Sequence, residues 1–221
     1  MPTILCYGDS NTHGSVPLPA GRPRERYGRD VRWPGVMRRA LGVGYEVIEE
    51  ALPGRTTVHD DPVARANRNG LATLVAALES HRPVDVVVLM LGTNDLKARV
   101  GATPSDIARG IERLGRIVLD ASWDHGAGPG GDAPGLLVVA PPPLPEDGPF
   151  AVDEPGAAAT SHAAVPLIRA VAEGLGAAFI DAGTVARFSP VDGVHLDEAG
   201  HAALGEAIAE AVSGLASIKA T

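Results

Sequence analysis

A serine follows the first apolar run of the chain at a point where a strand must turn. Residues 3–7 are predicted as a buried strand, Gly8 interrupts the run, and Ser10 falls in the turn toward a helix. The far end of the chain contains Asp192 and His195. A serine hydroxyl becomes an effective nucleophile when a histidine takes its proton and a carboxylate orients that histidine. These residues predict nucleophilic catalysis if the fold brings them together.

Short apolar runs alternate with helical patterns along the chain. The predicted strands are residues 3–7, 45–49, 84–91, 136–140 and 178–181, all expected to be buried. The predicted helices are residues 31–41, 69–80, 104–119, 161–175 and 197–215. Such alternation indicates parallel strands joined by right-handed crossovers. We therefore expect an α/β fold over residues 1–221: a single-domain, three-layer α/β/α sandwich with a five-stranded parallel sheet, flavodoxin-like.

Every distinctive motif follows a predicted strand. Ser10 follows the first strand, residues 53–56 the second, residues 92–95 the third, residues 141–143 the fourth, and Asp192 and His195 the fifth. Ligands of open α/β sheets bind outside the carboxyl ends of the strands. We expect these motifs to meet at one edge of the sheet.

The composition excludes several classes of protein. The chain has 221 residues and a formal net charge of −8, which argues against a general nucleic-acid binder. No apolar stretch approaches the ~20 residues of a membrane span, and strand-like sequence begins at Thr3 with no leader-like segment before it. The single cysteine, Cys6, rules out an internal disulfide. Together these features predict a cytoplasmic protein.

Four blocks, in order, resemble those of the SGNH (GDSL-type) hydrolase family. They are Gly8-Asp9-Ser10, the glycine loop at Gly54, Gly92-Thr93-Asn94-Asp95 and Asp192-Gly193-Val194-His195-Leu196. Residues 30–33, 47–50, 55–57, 90–95 and 141–144 are similar to the arylesterase/acyltransferase branch. The resemblance extends over nearly the whole chain. It implies the SGNH hydrolase fold and a serine esterase for short-chain or aryl esters, and some members of this branch also pass the acyl group to alcohols. It further implies a small-molecule ester substrate, no cofactor or metal, and a homo-oligomer.

The resemblance also assigns roles to individual residues. Ser10 is the nucleophile, His195 the general base and then acid, and Asp192 the group that orients His195. The oxyanion hole comprises the backbone N–H groups of Ser10 and Gly54 and the side-chain amide of Asn94. Further residues expected around the substrate pocket are Asp9, Asn11, His13, Thr93, Leu144, Phe150 and Val194.

Some alternatives remain open at this stage. The same chemistry would serve a carbohydrate acetylesterase, and a flavodoxin-like binding module could cradle an anion or flavin at the first loop. Arginines at positions 22, 24, 26, 29, 32, 38 and 39 form a dense basic run. We expect surface ion pairs there, with a subunit interface or attraction of anionic substrates as alternatives. His59-Asp60-Asp61 is not expected to bind a metal, because adjacent ligands on one loop converge poorly.

Overall fold

Five parallel strands form one sheet. A computed structural model describes residues 1–120 and 133–219, with the backbone alone for residues 216–219. The strands are β1 (Thr3–Gly8), β2 (Glu46–Ala51), β3 (Val86–Met90), β4 (Gly135–Ala140) and β5 (Ala178–Asp181). Their order is β2-β1-β3-β4-β5, and every pairing is parallel. The predicted α/β fold with a five-stranded parallel sheet is confirmed.

Helices cover both faces of the sheet. They are α1 (Ser10–His13), α2 (Trp33–Leu41), α3 (Leu71–Ser80), α4 (Pro104–Leu119), α5 (Pro149–Asp153), α6 (Ala157–Leu175) and α7 (Glu198–Lys219). Successive side chains of β1 point to opposite faces, so Ile4 and Cys6 join one core cluster and Leu5 and Tyr7 the other. The first cluster packs against α2 and α7, and the second against α3, α4 and α6. None of the described helices is long and apolar enough to cross a membrane.

The five strands are not equally buried. The central strands β1 and β3 are buried along their whole length, whereas β2 and β5 are partly exposed. The expectation that all five runs are buried is therefore wrong for these two. They lie at the edges of the sheet, where a strand has a neighbour on one side only.

The first residue of a helix was predicted correctly where a capping side chain marks it. At α4, Thr103 accepts a hydrogen bond from the backbone N–H of Asp106 and Pro104 occupies the first turn, as predicted. Helix α6 instead begins at Ala157, earlier than predicted, and continues through Pro166. Its N-cap is Gly156, which has no side chain to mark the start. The start of α6 was therefore misplaced because it has no capping signal.

A buried histidine joins α2 to α7. His201 has no exposed surface, and its Nδ1 accepts a hydrogen bond from the backbone N–H of Trp33 at 3.3 Å. The ring of Tyr27 stands edge-on to it, with 5.4 Å between ring centroids. Burial lowers the pKa of His201 from its usual 6.5 to about 4. His201 is therefore neutral when the protein is folded at neutral pH.

We expect His201 to make the fold sensitive to acid. Between pH 6.5 and about 4 the unfolded chain binds a proton at this site that the folded chain does not, so stability is lost as the pH falls through that range. The loss amounts to roughly 3 kcal/mol of the free energy of unfolding. His201→Asn, which does not titrate, should remove this part of the pH dependence in urea unfolding series. His162→Asn, at an exposed position on α6, should retain it. If the free energy of unfolding fell equally with pH in His201→Asn and in the wild type, His201 would not be the group responsible for the acid sensitivity.

Candidate active site

The turn after β1 presents Ser10 at the start of α1. The Asp9 carboxylate accepts a hydrogen bond from the backbone N–H of Asn11 at 2.9 Å and thereby caps the helix. The turn requires glycine at position 8, because a Cβ there would stand 2.0 Å from the Thr12 hydroxyl. Ser10 lines a large cleft. The sequence thus places the serine at the carboxyl end of a central strand, as predicted.

The loop between β5 and α7 orients His195 through Asp192. One carboxylate oxygen, Oδ1 of Asp192, accepts the backbone N–H groups of Val194 and His195 at 3.1 and 3.0 Å. The other, Oδ2, lies 2.7 Å from Nδ1 of His195. Burial alone would raise the pKa of Asp192, but these hydrogen bonds and the histidine charge outweigh it and lower the pKa below its usual 3.8. Asp192 is therefore ionised and able to support a protonated imidazole.

Asn11 connects the two ends of the chain. Its Nδ2 donates to the carbonyl of Val194 at 3.1 Å, and its Oδ1 accepts the backbone N–H of Leu196 at 3.0 Å. These bonds bracket His195, while Asn11 itself directly follows Ser10. Ser10 and His195 consequently line the same cleft. We expected Asn11 in the substrate pocket, but it is buried and ties the helix of Ser10 to the loop of His195.

Gly54 and Asn94 occupy the neighbouring wall of the cleft. Gly54 follows β2 with φ of +85°, a conformation that favours glycine. Asn94 lies in the 3-10 helix Thr93–Leu96 after β3, and its Nδ2 donates to the carbonyl of Arg55 at 3.1 Å and to Asp9 Oδ2 at 3.2 Å. An amide has two N–H donors. An anion that binds Asn94 must therefore share or replace one of these bonds.

Asp9 is a buried link between the two walls. Its carboxylate receives hydrogen bonds from Asn11 and Asn94. Burial raises its pKa from 3.8 to about 6, although the hydrogen bond from Asn11 opposes the shift. Asp9 therefore orients Asn94 from behind and does not itself line the cleft.

The cleft encloses about 770 Å³. Of the residues predicted for the site, it brings together Ser10, Gly54, Asn94, Phe150, Asp192, Val194 and His195. The other expected pocket residues are not part of its lining: Asp9, Asn11, His13, Thr93 and Leu144. Leu144 is wholly buried in the core and Thr93 nearly so, which corrects their placement in the pocket. His13 is half-buried at the end of α1, where its carbonyl accepts a hydrogen bond from Arg26 at 2.7 Å.

Basic side chains of the cleft were largely missed from the sequence. The cleft contains Arg65, Arg68, Lys97 and Arg99 in addition to Arg22 and Arg24 of the basic run. Four other arginines of that run form the expected ion pairs, to Glu49 and Asp30: Arg26, Arg32, Arg38 and Arg39. The available signal was the density of arginine and lysine in the segments after β2 and β3.

His59 and Asp61 bind other side chains of the protein. His59 Nδ1 lies 2.7 Å from Oδ1 of the buried Asp95, and Asp61 accepts hydrogen bonds from Arg99 at 2.9 Å. The His59 pKa is raised, chiefly by its hydrogen bond to Asp95. Within residues 1–120 and 133–219, no group of three or more potential ligands could hold a metal ion.

The α/β/α sandwich and the serine at the carboxyl end of β1 define an SGNH-type hydrolase, and comparison with known proteins specifies the family. Residues 6–203 match the model of the GDSL-like lipase/acylhydrolase family. The chain belongs to this family and is a carboxylic ester hydrolase, as the sequence predicted. This membership removes the argument for a non-enzymatic flavodoxin-like module. A comparison with curated proteins found no match.

Solved structures agree with this assignment. The native aryl esterase of M. smegmatis is 43% identical, with a TM-score of 0.89, covering 97% of this chain and 100% of the other. A carbohydrate acetylesterase from Sinorhizobium meliloti is 40% identical, with a TM-score of 0.89 and the same coverage of 97% and 100%. Both similarities extend over nearly the whole chain.

Proposed function

We propose that the protein is a serine esterase that hydrolyses short-chain or aryl carboxylic esters through an acyl-enzyme on Ser10. The observation that carries this proposal is the Asp192–His195 pair, held by Asn11 on the same cleft as Ser10. The similarity to an aryl esterase supports the substrate class.

The proposed reaction has two halves. Oγ of Ser10 attacks the ester carbonyl while Nε2 of His195 takes the hydroxyl proton, and the tetrahedral intermediate collapses as His195 returns that proton to the departing alcohol. Water then attacks the acyl-serine with His195 again as base, which releases the acid and restores Ser10. The backbone N–H groups of Ser10 and Gly54 and the amide of Asn94 stabilise the oxyanion, each contributing about 3–4 kcal/mol.

A carbohydrate acetylesterase is the second candidate function. It uses the same residues, and the relative from Sinorhizobium meliloti carries that description. The cleft is lined by as many charged side chains as apolar ones, and these charged groups can hydrogen-bond a hydroxylated leaving group. Acetate release from peracetylated xylose, compared with release from phenyl acetate, separates the two substrate classes. Transfer of the acetyl group to added alcohol would extend the function to acyl transfer.

We also propose that the enzyme acts on soluble small-molecule esters as a cytoplasmic homo-oligomer. The single cysteine, buried in β1, fits a reducing compartment. Oligomerisation rests on the resemblance to the arylesterase branch, and sedimentation velocity would measure it directly.

Covalent labelling tests the proposed function. A fluorophosphonate should add once per chain, abolish hydrolysis of p-nitrophenyl acetate, and appear by mass spectrometry on the peptide that contains Ser10. The nucleophile attacks phosphorus as it would attack the ester carbonyl. Inactivation with the label on another residue, or an active enzyme that carries a label on Ser10, would overturn the proposal.

A further inference from the structure

The cleft is basic although the chain is acidic overall. The formal net charge is −8, yet six of the cleft residues are cations and three are acids. The cations are Arg22, Arg24, Arg65, Arg68, Lys97 and Arg99; the acids are Glu25, Asp61 and Asp192. Walls of low dielectric concentrate the field of such charges in a cleft. This cleft therefore attracts anions from solution.

Two of the three acids already have cationic or histidine partners. Asp192 is bound to His195, and Asp61 pairs with Arg99 at 2.9 Å and Lys97 at 3.8 Å. By contrast, within the described part of the chain the side chains of four cleft arginines have no ion pair and no hydrogen bond: Arg22, Arg24, Arg65 and Arg68. Unpaired guanidinium groups remain available to a bound anion.

Arg68 lies beside the turn of Gly54, one of the proposed oxyanion donors. Its carbonyl accepts the backbone N–H of Thr56 at 2.9 Å, which fixes it beside the turn that contains Gly54. Its Cδ and Nε lie 3.5 Å from the point where a Cβ on Gly54 would stand. The side chain therefore covers the turn that supplies a proposed oxyanion donor. Arg65 lies three residues earlier and is exposed at the same cleft.

We propose that the cleft selects esters that carry a carboxylate, and that Arg68, assisted by Arg65, binds this carboxylate. The inference rests on the proposed esterase function, since it concerns the substrate of the same site. A guanidinium binds a carboxylate through two parallel hydrogen bonds. Because Arg68 covers the Gly54 turn, the carboxylate lies within a short distance of the scissile ester. Arg22 and Arg24, which line the same cleft, add long-range attraction.

Two matched pairs of substrates test the selectivity and locate the carboxylate. Mono(4-nitrophenyl) adipate and its methyl ester differ by a charge on the acyl side, whereas 4-acetoxybenzoate and 4-acetoxybenzamide differ on the alcohol side. We expect kcat/KM of the wild type to favour the anionic member of at least one pair by about 10-fold, mainly through KM. Added salt should reduce this preference, because ions screen partly exposed charges.

Substitutions assign the preference to Arg68. Arg68→Gln should lower the anionic-to-neutral ratio of kcat/KM about 10-fold, Arg65→Gln should lower it less, and Arg68→Lys should keep part of it because the charge remains. Arg113→Gln makes the same change in charge at an exposed position on α4 outside the cleft and should leave the ratio unchanged. The ratio is measured on a single preparation, so a partly misfolded variant does not imitate the effect.

The outcomes separate this inference from the function on which it rests. Hydrolysis of the neutral esters with no preference for the anionic ones would overturn the selectivity and leave the esterase intact. A preference that survives both Arg68→Gln and Arg65→Gln would overturn the assignment to these arginines. Failure of the wild type to hydrolyse any of the four esters would instead overturn the esterase proposal, and the selectivity with it.

Discussion

Ser10→Ala is expected to lower kcat for p-nitrophenyl acetate by roughly 10⁴- to 10⁶-fold, as loss of a serine nucleophile does elsewhere. The variant has no oxygen to form the acyl-enzyme, while the proposed oxyanion donors and the Asp192–His195 pair remain. Its fold should persist, because the change removes one hydroxyl at the cleft and keeps the backbone hydrogen bonds from Gly14 and Ser15 to the Ser10 carbonyl. Initial rates at saturating ester, with circular dichroism of the same preparation, measure the effect.

Ser15→Ala is the matched control for this loss. Ser15 also lines the cleft, but it is five residues further along and has no histidine–carboxylate pair assigned to it. We expect its kcat to stay within about 5-fold of wild type, since it takes no part in the acyl transfer. If Ser10→Ala retained most of the activity and Ser15→Ala lost it, the nucleophile would have been assigned to the wrong serine.

Asp192→Asn should lower kcat by about 10⁴-fold with little change in folding, as replacing the triad carboxylate by an amide does in serine proteases. The amide oxygen can still accept the backbone N–H groups of Val194 and His195, so the loop should keep its shape. A neutral amide cannot stabilise the imidazolium that forms when His195 takes the Ser10 proton. Single-turnover rates of acylation would locate the loss in that step.

Asp197→Asn is the control for Asp192→Asn. Asp197 lies two residues beyond His195, and its carboxylate caps α7 by accepting the backbone N–H of Gly200 at 2.8 Å. Asparagine caps helices about as well as aspartate. The variant should therefore keep both its stability and its kcat. A loss of kcat at Asp192 no larger than that at Asp197 would mean that Asp192 has a structural role alone.

The core of the site could be predicted because its signals are local. Gly8 ends β1, Ser10 begins the helix after it, and Asn94 lies in the 3-10 helix after β3. Parallel strands place their carboxyl ends at one edge of the sheet. Asp192 and His195 are close enough in sequence to meet within one turn, as their 2.7 Å contact shows. Each of these placements depends on a strand end or on a short loop.

The remaining pocket could not be predicted, because it depends on contacts between distant segments. Leu144 and Asn11 were expected on the cleft wall, but Leu144 is enclosed by the core and Asn11 is used to bind the His195 loop. Arg68 lines the cleft, and its carbonyl accepts the backbone N–H of Thr56, twelve residues away. Nothing in the spacing of these residues specifies such pairings.

The sequence by itself determined the sheet, five of its helices and the identity of the proposed catalytic residues, since hydrophobic periodicity and short motifs encode them locally. The short helices α1 and α5 were not predicted. The tertiary structure decided which polar side chains face the cleft and which are buried and hydrogen-bonded within the protein. The motif blocks after β1 and β3 both contain polar residues, namely Asp9, Asn11 and Asn94. Of these three, only Asn94 lines the cleft. That division follows from hydrogen bonds between segments far apart in the chain, because a buried polar group must find its partner wherever the fold places one.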